Sequence, residues 1–479
     1  MRRYAGLMID EPKKENRPPI STVSGVLPDG TLVELVYSPK ERRTRFAVGN
    51  ALGFSIVDQF TAPEGERWVP LSAENNLIRH EVVLLPEQPE PYGTTDALVE
   101  EITIYLDRYV DLSPDFRLLA VYYILLTWVY DACNELPYLR LRGDFGTGKT
   151  RALTVIGSIC YKAFFASGAS TISPIFHILD TFRGTMILDE ADFRFSDEKA
   201  ELVKILNNGN ARGFPVLRTM MNAKREFDPR AFNVYGPKLI GMRHSFDDEA
   251  LESRFITENM GSRRVRDDIP RNLPNSQREE ARALRNKLLT FRFSNRNELR
   301  IGAHDSTTAS DRVSQIAAPI LALATNSETR TQLLRLINGI NDELRADRAD
   351  LPEAALLEVL IDLIAESNQW AIPVKQIAAR LIQKAGRDID RPITARYVGQ
   401  LLRKRLHLTT FKSHGNYVWP VAEREKLEVL AARYGIDTAG TLSPGSFPTA
   451  SGGHRDVGDF ASGAEDGSDE AEPQQTEAQ

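Results

Sequence analysis

The stretch LRLRGDFGTGKTRALTVIG, Leu139–Gly157, limits what this chain can fold into more than any other segment. A strand-like run, YLRLR, stops at a glycine-rich turn, and a helix-like run, TRALTVIGSIC, comes next. The turn fits G-x-x-x-x-G-K-[ST] with Gly143, Gly148, Lys149 and Thr150, in the strand–loop–helix context that makes this spacing a phosphate cradle. Glycines let backbone N–H groups turn inward around phosphate oxygens, and the helix N-terminus adds partial positive charge. The expectation is a nucleotide site for ATP built from Gly143, Asp144, Phe145, Gly146, Thr147, Gly148, Lys149, Thr150 and Arg151. Lys149 would reach the β- and γ-phosphates and Thr150 would ligate Mg²⁺. A loop of this kind needs an α/β fold around it, and Tyr138–Phe255 alternates strand-like and helix-like segments accordingly.

A second motif, GTMILDEADF, sets an apolar strand, Met186–Leu188, directly before Asp189 and Glu190. Asp189 is assigned to the metal side, and Glu190 to orienting or deprotonating the attacking water. The DEAD letters invite an RNA-helicase reading. Only about 40 residues separate the loop from the acids, however, and a later Ser-Ala-Thr tripeptide is absent, so that reading is rejected. The short spacing leaves room for one inserted strand and helix, YKAFFAS and SPIFHILDTFRG.

Several polar residues compete for supporting roles. FNVYGPKLIGMR reads as a further core strand, Asn233–Gly241, ending at Arg243, a candidate γ-phosphate sensor where an Asn is the usual residue. Asn207 and Asn208 are alternatives, with helix capping as their ordinary role. Arg278, Arg282 and Arg285 could each supply another arginine or simply form a solvated helix face. Two β-like runs flank NAKR between Asn210 and Phe232, which suggests a hairpin whose Arg218, Lys224 and Arg225 contact a nucleic-acid backbone. A charged surface hairpin is the plain alternative.

Charge is unevenly distributed. The chain carries −6 overall, but eight acids and one arginine from His454 onward account for −7, leaving the rest near +1. Within that remainder Lys375–Lys412 holds ten Lys/Arg against two Asp. This basic stretch lies in a compact unit of three amphipathic runs followed by TTFKSHGNYVWP, the order of a winged helix. Its third helix would carry Arg396, Arg403, Lys404 and Arg405, and its wing Lys412, toward DNA. The acidic end reads as disordered, a solubilising tail or a dock for a protein partner. Two cysteines, no signal-like apolar segment and an apolar run, Leu118–Tyr130, too short to span a bilayer imply a cytoplasmic chain with no membrane role.

The expected organisation is therefore an N-terminal arm and β-rich domain (1–92), a helical lead-in (93–135), an α/β P-loop core (136–262) and a helical lid (263–350). A winged helix (351–424) and a short helix with an acidic tail (425–479) complete it.

The loop, ILDEAD, the inserted strand and ESRFI together resemble AAA+-like and superfamily 3-like P-loop ATPases. In particular they resemble phage- and plasmid-associated primase-helicases, and they are also similar to minichromosome maintenance-type helicases, over about Asp96–Pro420. The resemblance implies an AAA+-like core, a homo-oligomeric ring, with a hexamer as the expectation, and ATP-driven movement on single-stranded or forked DNA. It also makes Arg254 an arginine finger reaching the neighbouring subunit's γ-phosphate. No zinc-binding or acidic-triad primase module accompanies it. A nucleotide-gated assembly platform, loader or defence-system ATPase is the competing expectation, and a winged-helix regulator with a degenerate pocket is the third.

Overall fold

A computed structural model of the chain describes residues 18–168, 170–191, 197–221, 225–246, 248–261, 265–301, 311–349, 351–366, 369–385 and 392–436. It divides into two compact units, Met1–Asp347 and Arg348–Gln479. The N-terminal arm to residue 17, Lys224 and the acidic tail lie outside the described residues.

The first unit opens with β1 (Ile20–Thr22), β2 (Ser24–Val26), β3 (Leu32–Ser38), β4 (Arg43–Asn50), β5 (Gly53–Val57), β6 (Phe60–Thr61), β7 (Arg67–Pro70) and a single turn, α1 (Asn76–Arg79). β2 to β5 form an antiparallel meander, and β1, β7 and β6 a smaller sheet. At the Asp29-Gly30 turn between β2 and β3, Asp29 accepts hydrogen bonds from Thr31 N and Oγ1, and Gly30 takes a left-handed φ of +85°. Two helices come next, α2 (Thr95–Tyr109) and α3 (Pro114–Val129), capped by Thr94 and Ser113. Every residue from Leu119 to Tyr130 is buried, so the long apolar run is a core helix. Among the described residues no helix is long and apolar enough to cross a membrane.

The core continues through β8 (Tyr138–Arg142), α4 (Lys149–Gly157), β9 (Phe164–Ser167), α5 (Ile172–Phe182), β10 (Met186–Asp189) and α6 (Asp197–Asn208). After β11 (Val216–Met221) and β12 (Phe227–Phe232) come β13 (Lys238–Met242), α7 (Glu249–Glu252) and β14 (Phe255–Asn259). Five of these strands make one parallel sheet in the order β14-β8-β13-β10-β9. The loop-bearing strand β8 and the acid-bearing strand β10 are thus separated by β13, and the inserted β9 lies at the edge. This is the AAA+-like arrangement that the short spacing implies. β13 starts later than the sequence suggests, because residues 233–237 carry the chain from the hairpin into the sheet. In that connection Tyr235 N donates to Asn233 Oδ1, and Met186 N donates to Pro237 O.

Lys238, at the start of β13, is fully buried, and its ammonium donates to the carbonyls of Gly209, Val234 and Gly236 at 3.3, 2.8 and 2.9 Å. Burial pulls its pKa down to about 7. Between about pH 7 and the ordinary value of 10.5, the unfolded chain binds the proton and the folded chain does not, so stability rises with pH across that window. Lys238→Met should remove up to about 1.4 kcal/mol per pH unit of this slope. Urea midpoints of the two proteins at pH 7, 8 and 9 check it, and parallel profiles would refute it.

Three helices complete the first unit: α8 (Asn275–Asn295), α9 (Asp311–Leu323) and α10 (Ser327–Ala349), the last running just past its boundary. The N-terminal sheets and these helices pack into the same unit as the core, rather than forming separate bodies. PEQPEPYG, which reads as a linker, is pinned to α8: Asn286 Oδ1 accepts from Glu87 N at 2.9 Å, and Asn286 Nδ2 donates to Glu90 at 2.9 Å. A buried ion cluster adds a second tie. Glu34 on β3 accepts from Lys162 Nζ and Tyr161 Oη, both at 2.8 Å, and from Arg292 Nε on α8 at 2.7 Å.

The second unit contains α11 (Pro352–Glu366), β15 (Ala371–Pro373), α12 (Val374–Ala385), α13 (Ala395–Gln400), β16 (Phe411–Ser413), β17 (Asn416–Pro420) and α14 (Arg424–Arg433). β15, β17 and β16 form an antiparallel sheet in that order. The three helices and the hairpin keep the expected order, and β15 adds a third strand. The hairpin turns at His414 and Gly415, both at positive φ (+47° and +79°), as a two-residue turn of matching twist requires. Trp419 and Ile372 point into a core formed with α11, α12 and α14.

Candidate functional site

The phosphate loop leaves the C-terminal end of β8, and α4 begins at Lys149. Gly146 and Gly148 hold left-handed φ values of +74° and +91°, which turn successive backbone N–H groups toward one side. A Cβ on Gly143 would lie 2.5 Å from the Met260 carbonyl and 2.9 Å from Thr147 Oγ1, so only glycine fits between loop and β14. Lys149 Nζ bridges the carbonyls of Gly143 and Asp144 at 2.6 and 2.7 Å. Its stem therefore already lies along the loop that surrounds the phosphate position.

The acid pair sits opposite. Thr150 Oγ1 donates to Asp189 Oδ2 at 2.6 Å, bringing together the two groups assigned to magnesium. A hydroxyl and a carboxylate side by side are hard oxygen donors of the kind Mg²⁺ takes alongside substrate phosphates, so the residues fit that ion. Glu190 carries φ +56°, a left-handed conformation costly for a side chain of its kind. The neighbouring strand ends hold it there: Gly168 N donates to Asp189 O, and Ala191 N donates to Gly241 O, both at 3.0 Å. A Cβ on Gly168 would come within 2.6 Å of the Glu190 carbonyl, which explains the glycine at the end of β9.

Loop and acids line a cavity of about 530 Å³, together with Arg243, Thr154, Asn272 and Leu273. Arg243, at the end of β13, lies over the Phe145 ring with its guanidinium carbon 3.7 Å from the centroid. Asn272 and Leu273 are cavity residues without a sequence signal, since they belong to a loop preceding α8. Arg151 brings that loop over the site by hydrogen-bonding the carbonyls of Pro270 and Arg271. The Arg151 guanidinium is thus engaged with protein backbone, while the residue also lines the cavity.

The remaining candidates are placed elsewhere. Neither Asn207 nor Asn208 lines the cavity: Asn208 Nδ2 donates to Lys204 O within α6, and Asn207 Oδ1 accepts from Arg254. Arg254 precedes β14 and is only 9% exposed, turned inward onto Asn207. None of the three candidate arginines of α8, Arg278, Arg282 and Arg285, lines the cavity. Arg285 is buried against the carbonyls of Leu85 and Ser158, Arg282 faces Glu81 at 3.8 Å, and Arg278 is exposed.

The hairpin suggested by the sequence is β11–β12, paired from Val216↔Phe232 to Met221↔Phe227. Arg225 lies in its turn region, and Arg218 is folded over the Phe176 ring at 4.6 Å. In the second unit Arg396, Lys404 and Lys412 are exposed. Arg405 is also exposed, 3.7 Å from Glu353. After α13 the helix widens into a π turn, Leu401–Arg405, closed by Leu406 N donating to Leu401 O at 3.0 Å. Arg403, also exposed, hydrogen-bonds Thr410 Oγ1 at 2.7 Å and lies over the Tyr417 ring.

No family model matches the chain, and no curated protein matches it. Among solved structures it is similar to the apo C-terminal region of NrS-1, at 12% identity and TM-score 0.34, covering 81% of this chain and 95% of that one. Drosophila ORC bound to DNA gives 12% identity and TM-score 0.17, covering 73% and 96%. Cdc6p from Pyrobaculum aerophilum gives 13% and 0.18, covering 70% and 96%. Likenesses this weak do not bear on mechanism, and the strand order and loop geometry of this chain carry the functional reading.

Proposed function

We propose that this chain is an AAA+-like ATPase that works on DNA as a helicase or translocase of a mobile-element or phage replication system. The observation that carries the proposal is the 2.6 Å pairing of Thr150 with Asp189 beside Lys149, on the rim of a cavity bordered by Glu190 and Arg243. In this reading the loop N–H groups and Lys149 bind and orient the triphosphate. Thr150 and Asp189 would hold Mg²⁺, which would supply neutralising charge to the bound triphosphate. Glu190 takes the proton of the water that attacks the γ-phosphorus as the bond to ADP breaks, and Arg243 leaves the Phe145 ring for the γ-phosphate, where a fixed positive charge stabilises the phosphoryl group being transferred. The β11–β12 hairpin and the basic second unit, read as a winged helix, supply the DNA contacts.

Hydrolysis between subunits of a ring, hexameric by family resemblance, asks in addition that Arg254 exchange Asn207 for a neighbour's phosphate. The alternative, a nucleotide-gated platform that docks proteins, draws support from the exposed apolar residues at and before the hairpin: Phe214 (63%), Leu217 (69%), Met221 (62%) and Phe227 (78%).

ATP turnover with and without single-stranded and forked DNA, alongside strand displacement, discriminates between the two. The helicase reading expects DNA to raise turnover severalfold, and expects Arg225→Ala to blunt that rise without changing basal hydrolysis. Turnover indifferent to DNA would transfer support to the platform. Restoration of activity on mixing Arg254→Ala with Lys149→Ala protein would support the shared site, and no restoration would remove Arg254 from it.

A further inference from the structure

The lining of the cavity changes chemistry along α4. The glycine-rich loop, Lys149, Asp189, Glu190 and Arg243 make one part charged. Beyond the first turn of α4 the lining is neutral, with Thr154, Asn272 and Leu273. Arg151 and Thr154 are three residues apart on that helix and share a face. Both are already committed there: the Arg151 guanidinium is turned to the carbonyls of Pro270 and Arg271, and Thr154 Oγ1 donates to Thr150 O at 2.8 Å. A volume of about 530 Å³ is in the range that encloses a whole small-molecule ligand, beyond its phosphates alone.

The neutral part is walled by a strap, residues 265–274, fastened at both ends. Arg266 N donates to Asp111 Oδ2 at 3.1 Å, and Arg266 Nη1 to Asp107 Oδ1 at 2.8 Å. At the other end Arg151 holds two carbonyls, and Leu273 packs against the hydrophobic core. Pro270 and Pro274, each with a fixed φ, bracket the three residues between them. The wall is thus set without a ligand. Asn272 is exposed and lines the cavity, and among the described residues none hydrogen-bonds its amide.

An apolar side chain beside an open amide complements a flat heteroaromatic ring with donors and acceptors on its edge. We infer that Leu273 covers the face of the nucleobase and Asn272 reads its edge, selecting adenine, with Arg151 as the positioning residue that holds both in place. This inference rests on the proposed nucleotide reading and deepens it, from a triphosphate site to one selective for an adenine nucleotide. Adenine offers an amino donor beside the N7 acceptor, and the oxygen and nitrogen of one amide satisfy both. Guanine offers two acceptors on the same edge, which one amide does not match.

The test is calorimetric titration of the full chain with Mg²⁺–ATP, Mg²⁺–GTP and inorganic tripolyphosphate, the last of which has no base. The wild-type chain should prefer ATP to GTP about tenfold, the discrimination of one bidentate amide–base pair. Asn272→Ala should bring that ratio within twofold of unity by weakening ATP, and should leave tripolyphosphate unchanged. Arg151→Ala should lose most of the ATP preference as well, because the strap is no longer held. Leu273→Ala should weaken ATP and GTP together and spare tripolyphosphate.

Equal wild-type affinity for ATP and GTP, or an ATP preference that survives Asn272→Ala, would overturn the adenine assignment, and tripolyphosphate binding would still uphold the phosphate site. Equal weakening of all three ligands in Asn272→Ala would also overturn it, since the residue would then serve the phosphates or the fold. A wild-type chain that bound none of the three would refute both readings together.

Discussion

Glu190→Gln is expected to lower ATP hydrolysis by about two orders of magnitude or more while leaving ATP binding nearly unchanged. The magnitude is that of losing a positioned general base. The separation of binding from hydrolysis comes from geometry. Lys149, Thr150 and the loop N–H groups, which would carry the phosphates, lie on α4 and its preceding turn, whereas Glu190 extends from the end of β10 on the opposite side of the cavity. Glutamine keeps the size and the left-handed backbone already imposed there, so the variant removes the base without rebuilding the site. Lys149→Ala makes the contrast, because it removes the side chain laid along the phosphate loop and should lose binding and hydrolysis together. Fluorescent-nucleotide titration beside phosphate release measures both quantities. Glu190→Gln hydrolysis within threefold of wild type would be fatal to the assignment, and so would an equal loss of nucleotide affinity in the two variants.

The features legible in the sequence have a common physical cause. The loop, the acid pair and the inserted strand are local: each is set by residues within one strand–turn–helix passage, where glycine stereochemistry and hydrophobic periodicity act directly. The strand order is set by short parallel crossovers, which leave few topologies open. The hairpin and the helices of the second unit were legible for the same reason. Residues whose neighbours come from far along the chain were not. Asn272 and Leu273 reach the cavity only because Arg151, about 120 positions earlier, holds the carbonyls of Pro270 and Arg271. Arg285 reads as one member of an exposed basic face, yet it is spent on backbone carbonyls of Leu85 and Ser158. Arg403 reads as part of a recognition helix, and it lies in a π turn, which has no strong sequence signal, with its guanidinium on Thr410 and over the Tyr417 ring. Polar side chains are ambiguous in sequence because burial, not composition, decides whether they serve a ligand or the fold.

The same distinction governs the N-terminal sheets, which are joined to the P-loop core by buried charge. Glu34 is 1% exposed, and so is Lys162, its partner at 2.8 Å. Arg292 joins Glu34 to Asp131, with contacts of 2.7 Å to each carboxylate, and Arg296 adds a second cation at Asp131. Burial alone would raise the Asp131 carboxyl, but the two arginines hold it well below the usual carboxylate range, while burial lowers Lys162 against the opposing pull of Glu34. Glu34→Gln therefore leaves Lys162 and Arg292 in a dry interior with one carboxylate fewer. Removing one partner of a buried pair costs about 3–5 kcal/mol, whereas replacing both partners with apolar residues is often close to neutral. Glu34→Gln should accordingly destabilise the chain by that amount in chemical denaturation, and Glu34→Leu/Lys162→Met should recover most of the loss. The cost has a sign in pH as well. Without Glu34, Lys162 is left with a further depressed pKa, so the folded variant sheds its proton while the unfolded chain keeps it, and the deficit shrinks as pH rises toward the ordinary lysine range. A Glu34→Gln deficit below about 1 kcal/mol at neutral pH would show that the N-terminal sheets are held by packing alone. They could then be separated from the P-loop core, whereas a full deficit makes them part of the framework that carries the glycine-rich loop.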